Sequence, residues 1–110
     1  MDEFALIGEV VAQLGDRARG GWVAHGPGDD AAVIAQTPDC QAVASIDTLV
    51  AGVHFPVDMP AEAIGYRALM VSLSDLAAMA ATPRYALVAL TLPVADPLWV
   101  RGLAQGMAAA

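Results

Sequence analysis

Ser45-Ile46-Asp47-Thr48-Leu49-Val50-Ala51-Gly52-Val53-His54-Phe55 sets an aspartate inside a stretch apolar enough to be core. The run from Ala42 to Leu49 has β-forming composition and predicts a strand. Aspartate is disfavoured in a strand, so Asp47 needs a reason to be there. Side chains alternate along a strand, so Ser45 and Asp47 share a face and offer a hydroxyl and a carboxylate to one ion. The alternative is an edge strand with Asp47 turned to water. His54 follows Asp47 by seven residues, at the mouth of the same strand. It is either an ordinary surface histidine or a contact for substrate.

Two further segments repeat the pattern of a carboxylate in apolar surroundings. Gly26-Pro27-Gly28-Asp29-Asp30-Ala31-Ala32 leads into a second short β-rich run, Ala31 to Ala35. Its glycines permit tight backbone, and its adjacent acids either reach a shared metal or form an ordinary Asx turn. Ser72-Leu73-Ser74-Asp75-Leu76-Ala77-Ala78-Met79 places Asp75 in a long helix, on a metal-facing side or on a solvated one. A buried carboxylate without a partner is costly. Here the permanent cations are five arginines against twelve acids, with no lysine at all. A divalent metal ion is the partner this arithmetic favours.

The formal net charge of −7 argues against nucleic acid and against an anionic membrane surface, both of which call for a basic face. Hydrophobic residues make up 57% of the 110, enough to exclude disorder and to form one domain. No uncharged apolar run approaches the ~18 residues that span a bilayer. The N-terminus, Met1-Asp2-Glu3, lacks the basic start of a signal peptide. The lone Cys40 makes no internal disulfide and has no zinc-type spacing, in keeping with a soluble protein of a reducing cytoplasm.

Working outward, Asp2 caps a helix predicted from about Glu3 to Leu14, with Phe4, Ile7, Val10, Val11 and Leu14 at helical spacing and Gly15 as its stop. Residues 15–30 hold five glycines and read as an irregular loop. The runs 31–35 and 42–49 are expected as antiparallel neighbours across a turn at Gln36-Thr37-Pro38-Asp39. A helix follows from Glu62 to about Ala81 after Pro60, its buried stripe set by Tyr66, Leu69, Met70, Leu73, Leu76, Ala77 and Ala80. Tyr85 to Leu92 reads as a central strand closed by Pro93, and Asp96-Pro97 opens a last helix that runs to Ala110. The order α-β-β-α-β-α predicts an α+β fold, with helices on one face of a sheet. Its abrupt end is expected of a piece of something longer.

No Walker-type phosphate loop exists, and none can without lysine. There is no dinucleotide fingerprint and no Gly-x-Ser-x-Gly nucleophile elbow, and Cys40 has no base near it in sequence.

Taken together, the three segments resemble the thiamine-monophosphate kinase family. There a Gly-x-Gly-Asp-Asp-(Ala/Cys)-Ala segment precedes Ser-(Thr/Val)-Asp-Thr-Leu-Val-x-Gly-x-His-Phe. A helix carrying (Asn/Ser)-x-Ser-Asp-Leu-Ala-Ala-Met follows, then a strand ending in Leu-Thr-Leu-Pro. This chain has Ala89-Leu90-Thr91-Leu92-Pro93 at that last place, and Glu3-Phe4-Ala5-Leu6-Ile7 is similar to the family's first helix. The likeness runs over essentially all 110 residues.

The resemblance implies transfer of a phosphoryl group from ATP to thiamine monophosphate, giving thiamine diphosphate, with several Mg²⁺ ions bridging the phosphates. It implies the N-terminal domain of the fold shared with aminoimidazole-ribonucleotide synthetase and selenophosphate synthetase, which pairs into a β-barrel across a homodimer. Position by position, it puts metal-liganding roles on Asp30, Ser45, Asp47 and Asp75, and a substrate contact on His54. Ile46 stands where the family often has Thr, so only its backbone carbonyl can serve the metal. Asp29 is expected to shape its loop. No side chain is assigned as a catalytic base, because a phosphate monoester is already an anionic nucleophile. Family members are much longer. A Gly-Gly-Asp-Thr segment and a second domain follow the region spanned by residues 1–110, so this piece alone is expected to be inactive. The competing readings are a selenophosphate-forming or hydrogenase-maturation enzyme of the same superfamily, and a non-catalytic dimerisation module.

Overall fold

Asp2 opens the first helix, α1 (Glu3–Leu14), by accepting the Ala5 N–H at 2.8 Å, and Gly15 ends it with φ 58°. These are elements of a computed structural model that describes residues 1–110. A 3-10 turn (Gly15–Arg19) leads to strand β1 (Val23–His25), which pairs antiparallel with β2 (Val33–Ile34). Val23 lies opposite Ile34 and His25 opposite Val33, with a bulge on the β1 side. Helix α2 (Ala61–Ala78) follows Pro60, and α3 (Pro97–Ala109) starts where Asp96 accepts the Leu98 N–H. The chain is therefore α+β, with three α-helices and one small antiparallel sheet.

The core lies between helices. Helix α3 packs against both α1 and α2, and Ala61, Ile64, Val100, Leu103, Ala104 and Met107 are its buried apolar residues. Val10 and Leu14 of α1 close over that cluster, as do Phe55 and Met59 from the loop before α2. Gly65 and Gly106 let the α2 and α3 backbones touch. A Cβ on Gly65 would fall well inside 3.0 Å of the Leu103 carbonyl oxygen, and one on Gly106 equally close to that of Glu62. At the other interface the Arg101 Nε–H donates to Glu9 Oε1 at 2.8 Å. That hydrogen bond holds the Glu9 carboxyl below its ordinary range and raises the Arg101 guanidinium.

Several expectations are corrected. The loop expected over 15–30 contains the 3-10 turn and β1, and β1, not the 42–49 run, is the partner of β2. Residues 42–49 and 85–92 form no ladder: neither run contributes a backbone–backbone hydrogen bond. Their composition favours strands, yet a strand needs a neighbour and one copy of the chain supplies none. So no sheet is covered by helices on one face; the helices cover one another. Helix α2 spans 61–78, not 62–81, and its buried residues are Ala61, Ile64 and Gly65, while Tyr66 and Met70 are exposed. No polar or charged side chain is buried, so the expected buried carboxylates stand at the surface.

Only nine residues are buried, whereas a 110-residue domain ordinarily shields far more. The two unpaired runs contribute to this, with Ile46 90% and Leu87 82% exposed, but so do other segments, where Phe4 is 83% and Val57 80% exposed. One side chain ties the second run down. Arg84 lies 3.8 Å over the Trp22 ring and donates to the Thr37 hydroxyl, joining the segment after α2 to the hairpin.

Candidate functional site

The hairpin turns through the glycine-rich segment. Between β1 and β2, residues 26–32 form its loop, with Gly28 at φ 118°, a conformation that a side chain would strain. Asp29 holds this loop: Oδ1 accepts the Asp30 N–H at 2.8 Å, and Oδ2 lies 3.2 Å from His25 Nε2. Both Asp29 oxygens are thereby engaged within the loop. The Asp30 carboxylate makes no hydrogen bond to the chain and is exposed.

Residues 45–49 run beside α2. The Ser45 hydroxyl donates to Asp75 Oδ2 at 3.0 Å, across thirty positions of sequence. Further along, Asp47, Thr48 and Leu49 line a hollow with Arg67 and Val71 of α2 and with His54. Arg67, Val71 and Asp75 are four residues apart and so stack on one helix face. Ser45 meets the Asp75 end of that face and Asp47 the Arg67 end, which means the segment passes α2 in the opposite direction. Ser45 and Asp47 thus both address the same helix, while the Ile46 side chain stands free.

His54 is fixed by a tight turn. The N–H groups of Val53 and His54 donate to the Val50 carbonyl, and Gly52, at φ 78°, donates to Phe55 O at 2.7 Å. The Val50 N–H in turn donates to His54 Nδ1 at 2.9 Å. A ring nitrogen that accepts carries no proton, so the neutral ring bears its hydrogen on Nε2.

The hollow has a volume of about 140 Å³. A larger groove of about 470 Å³ lies between α2 and α3, lined by Glu62, Ala63, Tyr66, Gln105, Gly106 and Ala109. It contains none of the candidate metal or substrate residues, and its walls are mainly apolar. The chemistry therefore points to the smaller one.

The structure joins Ser45 to Asp75, and Asp47 to His54 by way of the hollow. Nowhere do three or more His, Cys, Asp or Glu side chains gather as a metal-holding group, so Asp30, Asp47 and Asp75 do not form one cluster. The donors present are hydroxyl and carboxylate oxygens, the set that suits a hard cation such as Mg²⁺ and not zinc. Sequence reading missed Arg67. The signal was its four- and eight-residue spacing from Val71 and Asp75.

A family model described as "AIR synthase related protein, N-terminal domain" matches residues 28–110. Among curated proteins, the thiamine-monophosphate kinase of Escherichia coli (strain K12) is 44% identical over 108 residues, 96% of this chain and 32% of that protein. The thiamine-monophosphate kinase of Corynebacterium glutamicum is 39% identical over 110 residues, 97% of this chain and 31% of that protein. That of Bacillus subtilis (strain 168) is 39% identical over 94 residues, 84% and 28% respectively. The chain spans about a third of the length of the curated relatives it matches.

Proposed function

The chain belongs to the family of AIR synthase related proteins as its N-terminal domain, and from that premise we propose that the whole protein is a cytoplasmic thiamine-monophosphate kinase. It moves the terminal phosphoryl group of ATP onto the phosphate of thiamine monophosphate and releases thiamine diphosphate. The observation that carries this reading is the strip on α2, where Ser45 and Asp75 meet at 3.0 Å beside the hollow lined by Asp47 and His54. The names of relatives at 39–44% identity support it.

Joining two phosphates brings like charges together, so the task is mostly positioning and neutralisation. Mg²⁺, when bound, supplies the positive charge that a lysine-free site lacks. Asp30, Ser45, Asp47 and Asp75, which do not gather in one cluster, would hold more than one such ion, with the Ile46 carbonyl as a backbone donor. Asp30 is free for this role because Asp29 takes on the bracing of the loop. His54 contacts the acceptor through Nε2–H, its ring oriented by the Val50 N–H. ATP consumption by the full-length protein is expected only when Mg²⁺ and thiamine monophosphate are both present. Consumption independent of thiamine monophosphate would overturn the assignment.

The partner we propose for the unpaired runs is a second copy of the chain. Residues 42–49 and 85–92 offer apolar side chains and free backbone groups, and strands in that state recruit others. Light scattering of the 110-residue chain is expected to give twice the monomer mass. A monomer at micromolar concentration would contradict the pairing.

A further inference from the structure

Arg67 lines the hollow beside Asp47 and His54, and nothing so far has given it a task. Two of the other four arginines are engaged elsewhere. Arg101 is paired with Glu9, and Arg84 is committed to Trp22 and Thr37. Arg17 and Arg19 belong to the 3-10 turn and form no part of this hollow. Arg67 has no carboxylate within ion-pair distance, although twelve acids surround five arginines in the sequence. An unpaired guanidinium in so acidic a chain is open to an outside anion. Its planar fork of donors suits the oxygens of a phosphate.

We propose that Arg67 and the Nε2–H of His54 together bind one phosphoryl group, that of the acceptor phosphate monoester. The volume of the hollow selects the size of the occupant. At about 140 Å³ it is well below the ~300 Å³ where pockets for whole organic ligands begin, and it matches a phosphoryl group better than a nucleotide. The chemistry of its walls selects the charge. Arg67 and His54 donate, and the Asp47 carboxylate demands that any anion beside it arrive with a neutralising cation. Val71 and Leu49 are the apolar members of its lining. The geometry alone carries the binding of phosphate; the identity of the acceptor rests on the thiamine-monophosphate kinase reading.

The chain has two histidines, which permits a direct test. His54 sits in the hollow, while His25 sits on the hairpin and reports whether a response is local. With magnesium chloride and ionic strength held constant, the ring resonances of both are followed by NMR as inorganic phosphate is added. Saturable movement of His54 alone is expected in the 110-residue chain. Arg67→Gln is expected to raise the half-saturating concentration by about tenfold or more, the loss of a charge-assisted hydrogen bond. Arg67→Lys, which keeps the charge, is expected to fall between the two. Thiamine monophosphate is expected to act as phosphate does, while ATP at the same concentration leaves His54 unmoved. No movement of His54, equal movement of both rings, or a response indifferent to Arg67→Gln would overturn the site. Binding of phosphate but not of thiamine monophosphate, or of ATP equally well, would overturn the acceptor assignment. Failure of the kinase reading itself is separate, since it is read from turnover.

Discussion

Asp75→Asn and Asp47→Asn, introduced into a full-length protein carrying this segment, are expected to lower turnover by at least about a hundredfold, the scale set by losing a donor to a catalytic cation. Stability is expected to change little. Asp75 is exposed, and an asparagine Oδ1 still accepts the Ser45 hydroxyl, so the contact seen at 3.0 Å survives while the charge is lost. Asp47 is also exposed and makes no hydrogen bond within the chain whose loss would unsettle the fold. Circular dichroism and thermal melting establish that the fold is kept, and steady-state kinetics across a magnesium titration measure the loss. Raised magnesium is expected to recover part of the activity if the defect is affinity for the ion. Unchanged turnover in either variant would remove that residue from the ligand set.

The second large effect is on stability and comes from glycines. Gly106→Ala and Gly65→Ala place a methyl group against a facing backbone carbonyl, which no side-chain rotation can relieve. The helices must part, with a loss of roughly 2–3 kcal/mol or more, as in other overpacked interfaces. Gly8→Ala makes the opposite prediction. A Cβ at Gly8 meets nothing within 4 Å, and the residue lies inside α1, so alanine there is expected to add about 0.5–1 kcal/mol. Urea unfolding of the three variants beside the parent chain decides the matter. Equal effects at positions 8 and 106 would mean that α2 and α3 do not meet through their backbones.

These glycines also explain where sequence reading failed. Apolar periodicity found α1 from Phe4, Ile7, Val10 and Leu14, and the capping residues Asp2 and Asp96 located the starts of α1 and α3. In α2 the same method chose Tyr66, Leu69 and Met70; Leu69 does pack against the core cluster, but Tyr66 and Met70 are exposed and the buried contact is made by Ala61, Ile64 and Gly65. Where two backbones touch, small residues are the interface, and a hydrophobic stripe does not register them. Gly102 and Gly106, one turn apart on α3, were the available sign.

The strands failed for a different reason. Propensity describes what a segment accepts, while a ladder depends on what lies beside it. Val23 to His25 paired despite its glycine-rich surroundings because the 26–32 loop returns Val33 and Ile34 to it. Residues 42–49 and 85–92, with much stronger β composition, found no such neighbour. The same gap undid the inference that Asp47 and Asp75 are buried. Of the apolar residues near them, Ile46, Ala77 and Met79 are exposed, and Leu73 and Leu76 are only partly buried. What the sequence did make legible was the company the acids keep: Ser45 with Asp47 on one face, and Asp29 as the brace of its loop.

The central claim is the destination of a phosphoryl group, and ATP labelled at its terminal phosphate tests it most directly. The full-length protein, given labelled ATP, Mg²⁺ and thiamine monophosphate, is expected to place the label in thiamine diphosphate in step with the ADP formed. Label recovered only as inorganic phosphate, or ADP formed at the same rate without thiamine monophosphate, would contradict it.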